Sequence, residues 1–352
     1  MSALHTRICD LLGISVPIVQ TGMGWVSGPE LTAATSAAGG LGILAGVTMT
    51  TDQLQTAIAA VQSHTTAPFG VNLRADQPNA EAVVDLLISQ QVKVASFAGP
   101  PRRGLIDRLK SAAIVTIPTI GAPKHAVKMA SWGVDAVIAQ GSEGGGHTGT
   151  IATTQLLPAV CRAVDIPVLG AGGFCDGRGL VAALAYGADG IAMGTRFLLT
   201  QESPVPESVK AVYLNTSLSG TVVTEAIDGY PQRVIRTPFV DRLERSGWLS
   251  GLLRSLRHAW AFRKVTNTSA MSLLQAGLKM QRSSDLPIAQ VAMAANAPMM
   301  TKATMVDGKA DVGIFPTGQV TGQIQHLPTV DELISEIVDE AERTLERLRK
   351  EQ

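Results

Sequence analysis

His147 is the residue of this sequence whose type and setting best suit acid–base chemistry. It follows three consecutive glycines in the segment Gln140–Gly149, which has no helical or strand periodicity. An ordinary imidazole titrates near pH ~6.5, so it can accept a proton from a substrate at neutral pH. Because glycines leave a flat ligand free access, we predict that His147 is a catalytic base rather than a surface-loop histidine.

Two glycine-containing turns predict a phosphate-binding site. Gly172 and Gly173 follow one apolar run, while Gly194 and Thr195 follow the next. Backbone N–H groups at such turns bind phosphate well, above all where a helix begins. A single glycine pair is equally explained by a tight turn. Two of them after consecutive strands near the end of a barrel match its usual phosphate site.

Other cofactor and metal motifs are missing from the sequence. It contains no G-x-G-x-x-G fingerprint followed by an acidic residue, no Walker A sequence and no HExxH. His, Asp and Glu do not cluster at metal-binding spacing, so we predict no metal. A cofactor anchored by its phosphate remains the best expectation.

The elements that must position these residues alternate regularly. From Val16 to about Thr200, short apolar runs are followed by alanine-rich helical stretches. The predicted strands are Pro17–Gln20, Leu41–Leu44, Phe69–Leu73, Val94–Phe97, Ile114–Ile117, Ala136–Ala139, Val168–Ala171 and Gly190–Met193. Eight strands in this order predict the α/β class and a (β/α)8 TIM barrel, whose ligands bind at the carboxyl ends of the strands.

Three regions are predicted along the chain. Residues 1–200 form the barrel, residues 201–326 a mostly helical insertion that covers the substrate, and residues 327–352 a terminal helix on the barrel surface. Thr329 and Glu332 have the T-x-x-E spacing of a capping box at the start of that helix.

Composition limits the function classes. The 352 residues are 45% hydrophobic and have a formal net charge of +0, which excludes wholesale disorder and a globally basic nucleic-acid binder. Three cysteines without CxxC spacing favour a reducing compartment, and no apolar stretch is long enough to span a bilayer. We therefore expect a cytoplasmic enzyme that acts on a small molecule, with no nucleic-acid or membrane partner; a homodimer is permitted but not required.

One segment is strongly basic. Between Arg242 and Arg282 there are eight basic residues and one acidic residue. Arg254, Arg257 and Arg263 lie in it, and we predict that they guide a bulky anion to the mouth of the site. Lys124, which follows Pro123 after the fifth strand, is a further candidate substrate contact. A solvated helix face explains the basic segment almost as well, and an exposed helix start explains Lys124.

The strand ends resemble the nitronate monooxygenase family, which also includes flavin-dependent enoyl-acyl-carrier-protein reductases. The matching segments are PIVQTGMG, AGGLGILAG, FGVNLR, GVDAVIAQGSEGGGHTG, IPVLGAGGFCDGRG and YGADGIAMGTRFLLT. The resemblance implies FMN as cofactor and His147 as the family's base. It implies that Gly22, Met23, Gly24, Asn72 and Gln140 meet the isoalloxazine and ribityl, that Gly146 lies near the ring, and that Gly172, Gly173, Gly194 and Thr195 hold the phosphate.

The resemblance, which includes the stretch VVTEAIDGYPQRVIRT, extends to an actinobacterial subgroup of flavin enzymes that act on CoA thioesters in steroid ring degradation. It implies an FMN-dependent oxidoreductase for a bulky CoA thioester, with His147 as acid/base and flavin N5 as hydride carrier. Nitronate monooxygenation with O2, enoyl-thioester reduction and a non-enzymatic FMN scaffold are the alternatives. The loop reads EGGGH where many relatives read EAGGH, and we expect Gly145 to give extra room there.

Overall fold

The computed structural model describes residues 4–245 and 296–350. Eight parallel strands close into a barrel, in which the first strand pairs with both the second and the last, as Val19 with Leu41 and Ile18 with Ile191. The barrel strands are β1 (Ile18–Gln20), β2 (Leu41–Leu44), β3 (Phe69–Leu73), β4 (Val94–Phe97), β5 (Val115–Ile120), β6 (Val137–Gln140), β8 (Val168–Ala171) and β9 (Gly190–Met193). The predicted TIM barrel is confirmed.

Strand β5 is the barrel strand whose end differs most from the prediction. It continues to Ile120, whereas the sequence indicated an end at Ile117. Pro118 lacks an N–H and ordinarily marks the edge or end of a strand. Here Pro118 lies opposite Phe97 of β4 in the ladder, so the strand continues through it.

Helices on the outside follow most of the barrel strands. They are α2 (Pro29–Ala37), α3 (Thr51–His64), α4 (Ala80–Ser89), α5 (Arg103–Ser111), α6 (Pro123–Ser131), α7 (Thr153–Ala163), α8 (Gly177–Ala185) and α9 (Thr195–Leu198), whereas α1 (Arg7–Leu12) precedes β1. Helix α3 shows why they form. Leu54, Ile58 and Val61 are buried at helical spacing, and Thr50 with Gln53 forms a capping box at its start.

The barrel interior is a packed core. Alternate residues of the strands, such as Leu41 and Ile43 of β2, cluster with Ile8 and Leu12 of α1. Helix α1 precedes the first strand, so it packs at the amino-terminal end of the barrel. The carboxyl ends of the strands are thus left to the loops, where barrel enzymes place their chemistry.

A small second sheet was missed by the sequence. Strand β7 (Gly146–His147), β10 (Thr221–Thr224) and β11 (Gln232–Ile235) form an antiparallel sheet in the order β10-β11-β7. Two of its strands come from the insertion, which also contributes α10 (Glu207–Leu214), α11 (Pro238–Arg245) and α12 (Asn296–Met305). Because residues 246–295 lie outside the described residues, the mostly helical insertion stays a prediction.

The terminal helix α13 (Val330–Lys350) packs against α8. Glu340 accepts a hydrogen bond from Gly177 N at 2.8 Å. At the helix start, Thr329 Oγ1 accepts from Glu332 N at 3.2 Å, and Glu332 Oε2 accepts from Thr329 N at 2.8 Å. No helix within the described ranges combines the length and apolarity needed to cross a membrane.

We expect Thr329→Ala to lower the free energy of unfolding by about 1 kcal/mol, because it removes a capping oxygen from the start of α13. Urea unfolding followed by circular dichroism measures the change. Thr329→Ser keeps the hydroxyl and should stay within a few tenths of a kcal/mol of the parent. Equal stability of all three proteins would show that this cap contributes nothing.

Candidate active site

The loops after β1, β3 and β9 meet at the carboxyl end of the barrel. A Cβ placed on Gly22 would collide with Asn72 Cβ, so these two residues are in contact. A Cβ on Gly194 would lie 3.3 Å from Met23 Sδ, and one on Gly24 would lie 2.9 Å from Thr48 Cγ2. The structure thus brings together Gly22, Met23, Asn72 and Gly194, four of the residues predicted to hold the cofactor.

The loops after β6 and β8 are equally close to one another. A Cβ on Gly172 would lie 2.8 Å from Gly144 N. Gln140 Nε2 donates to His147 O at 2.9 Å, which ties the end of β6 to the short strand β7. Gln140, Gly146, His147 and Gly172 therefore share one side of the barrel mouth.

The backbone at the predicted phosphate site fits an anion. Gly172 and Gly173 have φ values of +86° and +90°, in the left-handed region that favours glycine. On the Cβ side of Gly173, the nearest atom is Glu143 Cβ at 3.7 Å. Gly194 precedes α9, and no side chain caps that helix start. The left-handed glycines and the uncapped helix start are features that an anion-binding turn would need.

The Thr195 hydroxyl has partners within the protein. Its Oγ1 accepts a hydrogen bond from Gly318 N at 2.9 Å and lies 3.5 Å from Thr317 Oγ1. Gln319 N in turn donates to Glu143 O at 3.0 Å. The segment Thr317–Gln319 therefore joins β9 to the glycine-rich loop. Sequence reasoning missed this segment, although its Pro-Thr-Gly sequence is typical of a turn.

The expectation of extra room at Gly145 is wrong. A Cβ there would lie 2.5 Å from Thr317 C and 2.6 Å from Gly318 N, both of them backbone atoms. The glycine that replaces the alanine of EAGGH is Gly144, whose Cβ would lie 2.8 Å from Nε2 of the flexible Gln140 side chain. Gly145 permits a close backbone approach and provides no open space.

Two polar residues outside the glycine-rich loop, Thr153 and Arg233, hold it in place. Thr153 N donates to Glu143 Oε2 at 2.9 Å, and Thr153 Oγ1 lies 2.8 Å from Gly172 O. Arg233 Nη2 donates to Ser142 O at 3.0 Å from the side of β11. Burial lowers the pKa of Arg233, and the nearby Glu143 carboxylate opposes that effect. The loop is therefore braced from both the barrel and the second sheet.

His147 stands where the second sheet meets the barrel mouth. Its backbone lies opposite Gln232 of β11, and its side chain is 54% exposed. His147 Nε2 lies 2.8 Å from Asp228 Oδ2, while the ring of Tyr230 contacts the imidazole edge-on with centroids 6.1 Å apart. The Cβ side of the preceding residue, Gly146 (φ +66°), has no atom within 4 Å. The imidazole is thus accessible from solvent, and the backbone just before it is open on the Cβ side of Gly146.

Asp228 is the site residue that sequence reasoning missed. Its side chain is only 5% exposed, and its Oδ1 accepts from Tyr230 N at 3.2 Å. Burial raises the pKa of this carboxyl, but hydrogen bonds from His147 and its neighbours outweigh burial, and the net pKa is lowered. It lies 81 residues from His147 in sequence. The only sequence signal was the Asp-Gly-Tyr-Pro turn between two β-rich runs.

Of the four predicted substrate contacts, Lys124 lies within the described residues. Lys124 is exposed in the first turn of α6, directly after Pro123 and close behind the carboxyl end of β5. Arg254, Arg257 and Arg263 lie outside the described residues.

The family model described as nitronate monooxygenase matches residues 5–84 and 80–340, nearly the whole chain. The chain belongs to the nitronate monooxygenase family. The resemblance seen in the sequence is confirmed, and the chain is accordingly a flavin-dependent oxidoreductase.

Two curated relatives in this family share most of the sequence. The chain is 54% identical over 348 residues to (3aS,4S,5R,7aS)-5-hydroxy-7a-methyl-1-oxo-octahydro-1H-indene-4-carboxyl-CoA dehydrogenase of Rhodococcus jostii, with 99% of each chain covered. It is 53% identical over 341 residues to the Mycobacterium tuberculosis protein of the same name, with 96% of each covered. Among solved structures, FabK from Thermotoga maritima superposes with a TM-score of 0.80 at 35% identity, over 99% of both chains.

Proposed function

We propose that this nitronate monooxygenase family member is an FMN-dependent oxidoreductase of a bulky CoA thioester of the kind formed in steroid ring degradation. The observation that carries the proposal is full-length identity of 54% and 53% to two CoA-thioester dehydrogenases. The identity spans the insertion as well as the barrel, and the insertion is longer than a small nitronate requires. The substrate proposed is therefore large and anionic.

FMN fits the cradle at the carboxyl end of the barrel. The backbone of Gly172, Gly173, Gly194 and Thr195 would hold its phosphate, and Gly22, Met23, Gly24, Asn72, Gln140 and Gly146 would border the ribityl and the ring. When bound, the flavin supplies hydride exchange at N5. Releasing the cofactor from the yellow protein with acid and determining its mass tests this assignment; a mass of FAD, or a colourless protein that takes up no FMN, contradicts it.

His147 is the base of the proposed reaction. Its imidazole is more than half exposed at the mouth, so it can reach a substrate. Its role is to accept the proton that leaves the substrate as the hydride departs. Lys124 is proposed as a substrate contact, because it is exposed just after the carboxyl end of β5 and its positive charge suits an anionic thioester.

Nitronate monooxygenation is the second candidate, because the family model itself has that description. Oxygen uptake separates the two functions. With propionate 3-nitronate or nitroalkanes as substrates, we expect slow uptake, whereas a bicyclic CoA thioester should turn over readily with an electron acceptor. Rapid oxygen uptake with nitronates, together with indifference to CoA thioesters, would replace the first proposal by the second. Oxidation of a nicotinamide cofactor by an enoyl thioester would instead favour the reductase.

The basic segment provides a charge test of the substrate. We expect the triple variant Arg254→Glu, Arg257→Glu and Arg263→Glu to raise the KM for a CoA thioester about tenfold, since each exposed ionic contact contributes up to ~1 kcal/mol. The KM for a nitroalkane should not change. The control reverses Arg343, Arg347 and Arg349, which are exposed on α13. If the KM for the CoA thioester is the same in the parent and in both variants, the basic segment does not guide CoA to the site.

A further inference from the structure

The hydrogen bond between His147 and Asp228 joins a buried carboxylate to an exposed imidazole. The Asp228 side chain is 5% exposed and that of His147 54% exposed. The bond uses Nε2 of the ring, at 2.8 Å from Oδ2. Nδ1 is therefore the nitrogen that is not occupied by this carboxylate.

The ring is fixed from several directions. His147 lies opposite Gln232 in the β7–β11 ladder, and its carbonyl accepts from Gln140 Nε2 at 2.9 Å. Tyr230 packs edge-on against the imidazole. Since the backbone and one ring face are constrained, the Asp228 hydrogen bond determines the ring orientation.

The surroundings of Asp228 favour its ionised form. Tyr230 N donates to Oδ1, and His147 occupies Oδ2. The side chain of Gln232 also acts to lower the carboxyl pKa, as does the ring of His147, against the effect of burial. Arg74, in the loop after β3, is the nearby cation, and its guanidinium is itself paired with Asp76 at 2.9 and 2.6 Å.

An ionised carboxylate only accepts hydrogen bonds, so the nitrogen facing it must bear the proton. A neutral imidazole with its proton on Nε2 has its lone pair on Nδ1. When Nδ1 accepts a second proton, the imidazolium formed lies against the negative charge of Asp228, which stabilises it.

We propose that Asp228 is the positioning residue of the active site: it keeps the proton of His147 on Nε2 and so makes Nδ1 the atom that takes the substrate's proton. The inference rests on the proposed role of His147 as base. In the step, the proton leaves the substrate and forms the Nδ1–H bond, while the Nε2–H bond to Asp228 is kept. The resulting imidazolium–carboxylate pair is neutral overall. No other reactant takes part in the proton transfer.

The tautomer is the direct readout. In the flavin-loaded protein labelled with ¹⁵N-histidine, long-range proton–nitrogen NMR distinguishes Nε2–H from Nδ1–H, with the His147 signals assigned from their loss in His147→Gln. The neutral wild-type ring should show Nε2–H. In Asp228→Asn the amide nitrogen can donate to Nε2, so the ring should shift to Nδ1–H. A wild-type ring with its proton on Nδ1 would overturn the proposal without any variant.

Kinetics provides the second readout. With Asp228→Asn we expect flavin reduction by the thioester to be 10- to 100-fold slower, as for loss of other orienting partners of a functional histidine. The control is Asp10→Asn, which removes the carboxylate that lies 2.8 Å from His5 Nε2 in a His–Asp pair outside the site. An unchanged tautomer and an unchanged rate in Asp228→Asn would refute the proposal.

The tautomer measurement tests the His147–Asp228 pair independently of the proposed substrate. The tautomer is read without substrate, so it tests the pair even if the substrate has been misassigned. If the tautomer shifts as expected while no thioester reduces the flavin, the substrate proposal fails and the positioning role of Asp228 stands.

Discussion

His147→Ala should slow flavin reduction by the CoA thioester about 10³-fold, within the 10²- to 10⁴-fold range of general-base catalysis. The side chain is 54% exposed and its contacts are with Asp228 and Tyr230, so its loss should leave the proposed flavin cradle intact. Rapid mixing with the substrate, monitored by flavin absorbance, measures the rate. The flavin content of the purified variant should equal that of the parent.

A matched control is available at His326, which pairs with Glu336 on the terminal helix and contacts no residue of the site described above. His326→Ala should react at the parental rate. A His147→Ala protein that also reacts at the parental rate, with every substrate tried, would favour a flavin-binding scaffold over an enzyme. The variant does not distinguish the thioester from the nitronate reaction, because both require the base.

Gly145→Ala should weaken flavin binding by about 3 kcal/mol, or roughly 150-fold, at the upper end of the usual cost of overpacking. The new Cβ would lie 2.5 Å from Thr317 C, so the Thr317–Gln319 segment must move away from the glycine-rich loop. That movement breaks the hydrogen bond from Gly318 N to Thr195 Oγ1, which stabilises the start of α9 at the phosphate site. Fluorescence titration of the flavin-free protein with FMN measures the affinity.

Gly149→Ala is the control for this prediction. Gly149 is exposed at the end of the same loop, and a Cβ there would have no atom within 4 Å. We expect its flavin affinity to stay within a few-fold of the parent. Equal affinities of the two variants would show that the contact between Gly145 and Thr317 does not shape the phosphate site.

The barrel was predictable because its signals are local. Each strand is a short apolar run, and each is followed by helix formers and glycines within a few residues, so periodicity alone places β2, β3, β4, β8 and β9 with the bounds that the structure has. The strand prediction also places His147 and the glycine turns at one end of the barrel, because the carboxyl ends of all its strands lie on the same side.

What the sequence did not reveal depends on pairing between distant segments. Asp228 comes 81 residues after His147 in the chain. The two residues meet because β7 pairs with β11. Strand β7 has two residues, too few for any periodic signal. The misreading of Gly145 has the same origin, since the Thr317 backbone that fills its space lies far along the chain.

The central claim is that a CoA thioester reduces the flavin of this protein. Mixing the flavin-loaded protein without oxygen with the CoA thioester of a hydroxylated, oxo-substituted bicyclic carboxylic acid tests it in a single turnover. Our account predicts that the oxidised flavin absorbance is bleached, and that His147→Ala slows the bleaching about 10³-fold. A flavin that keeps its oxidised spectrum with the thioester, yet is reduced by a nitronate under the same conditions, would contradict it.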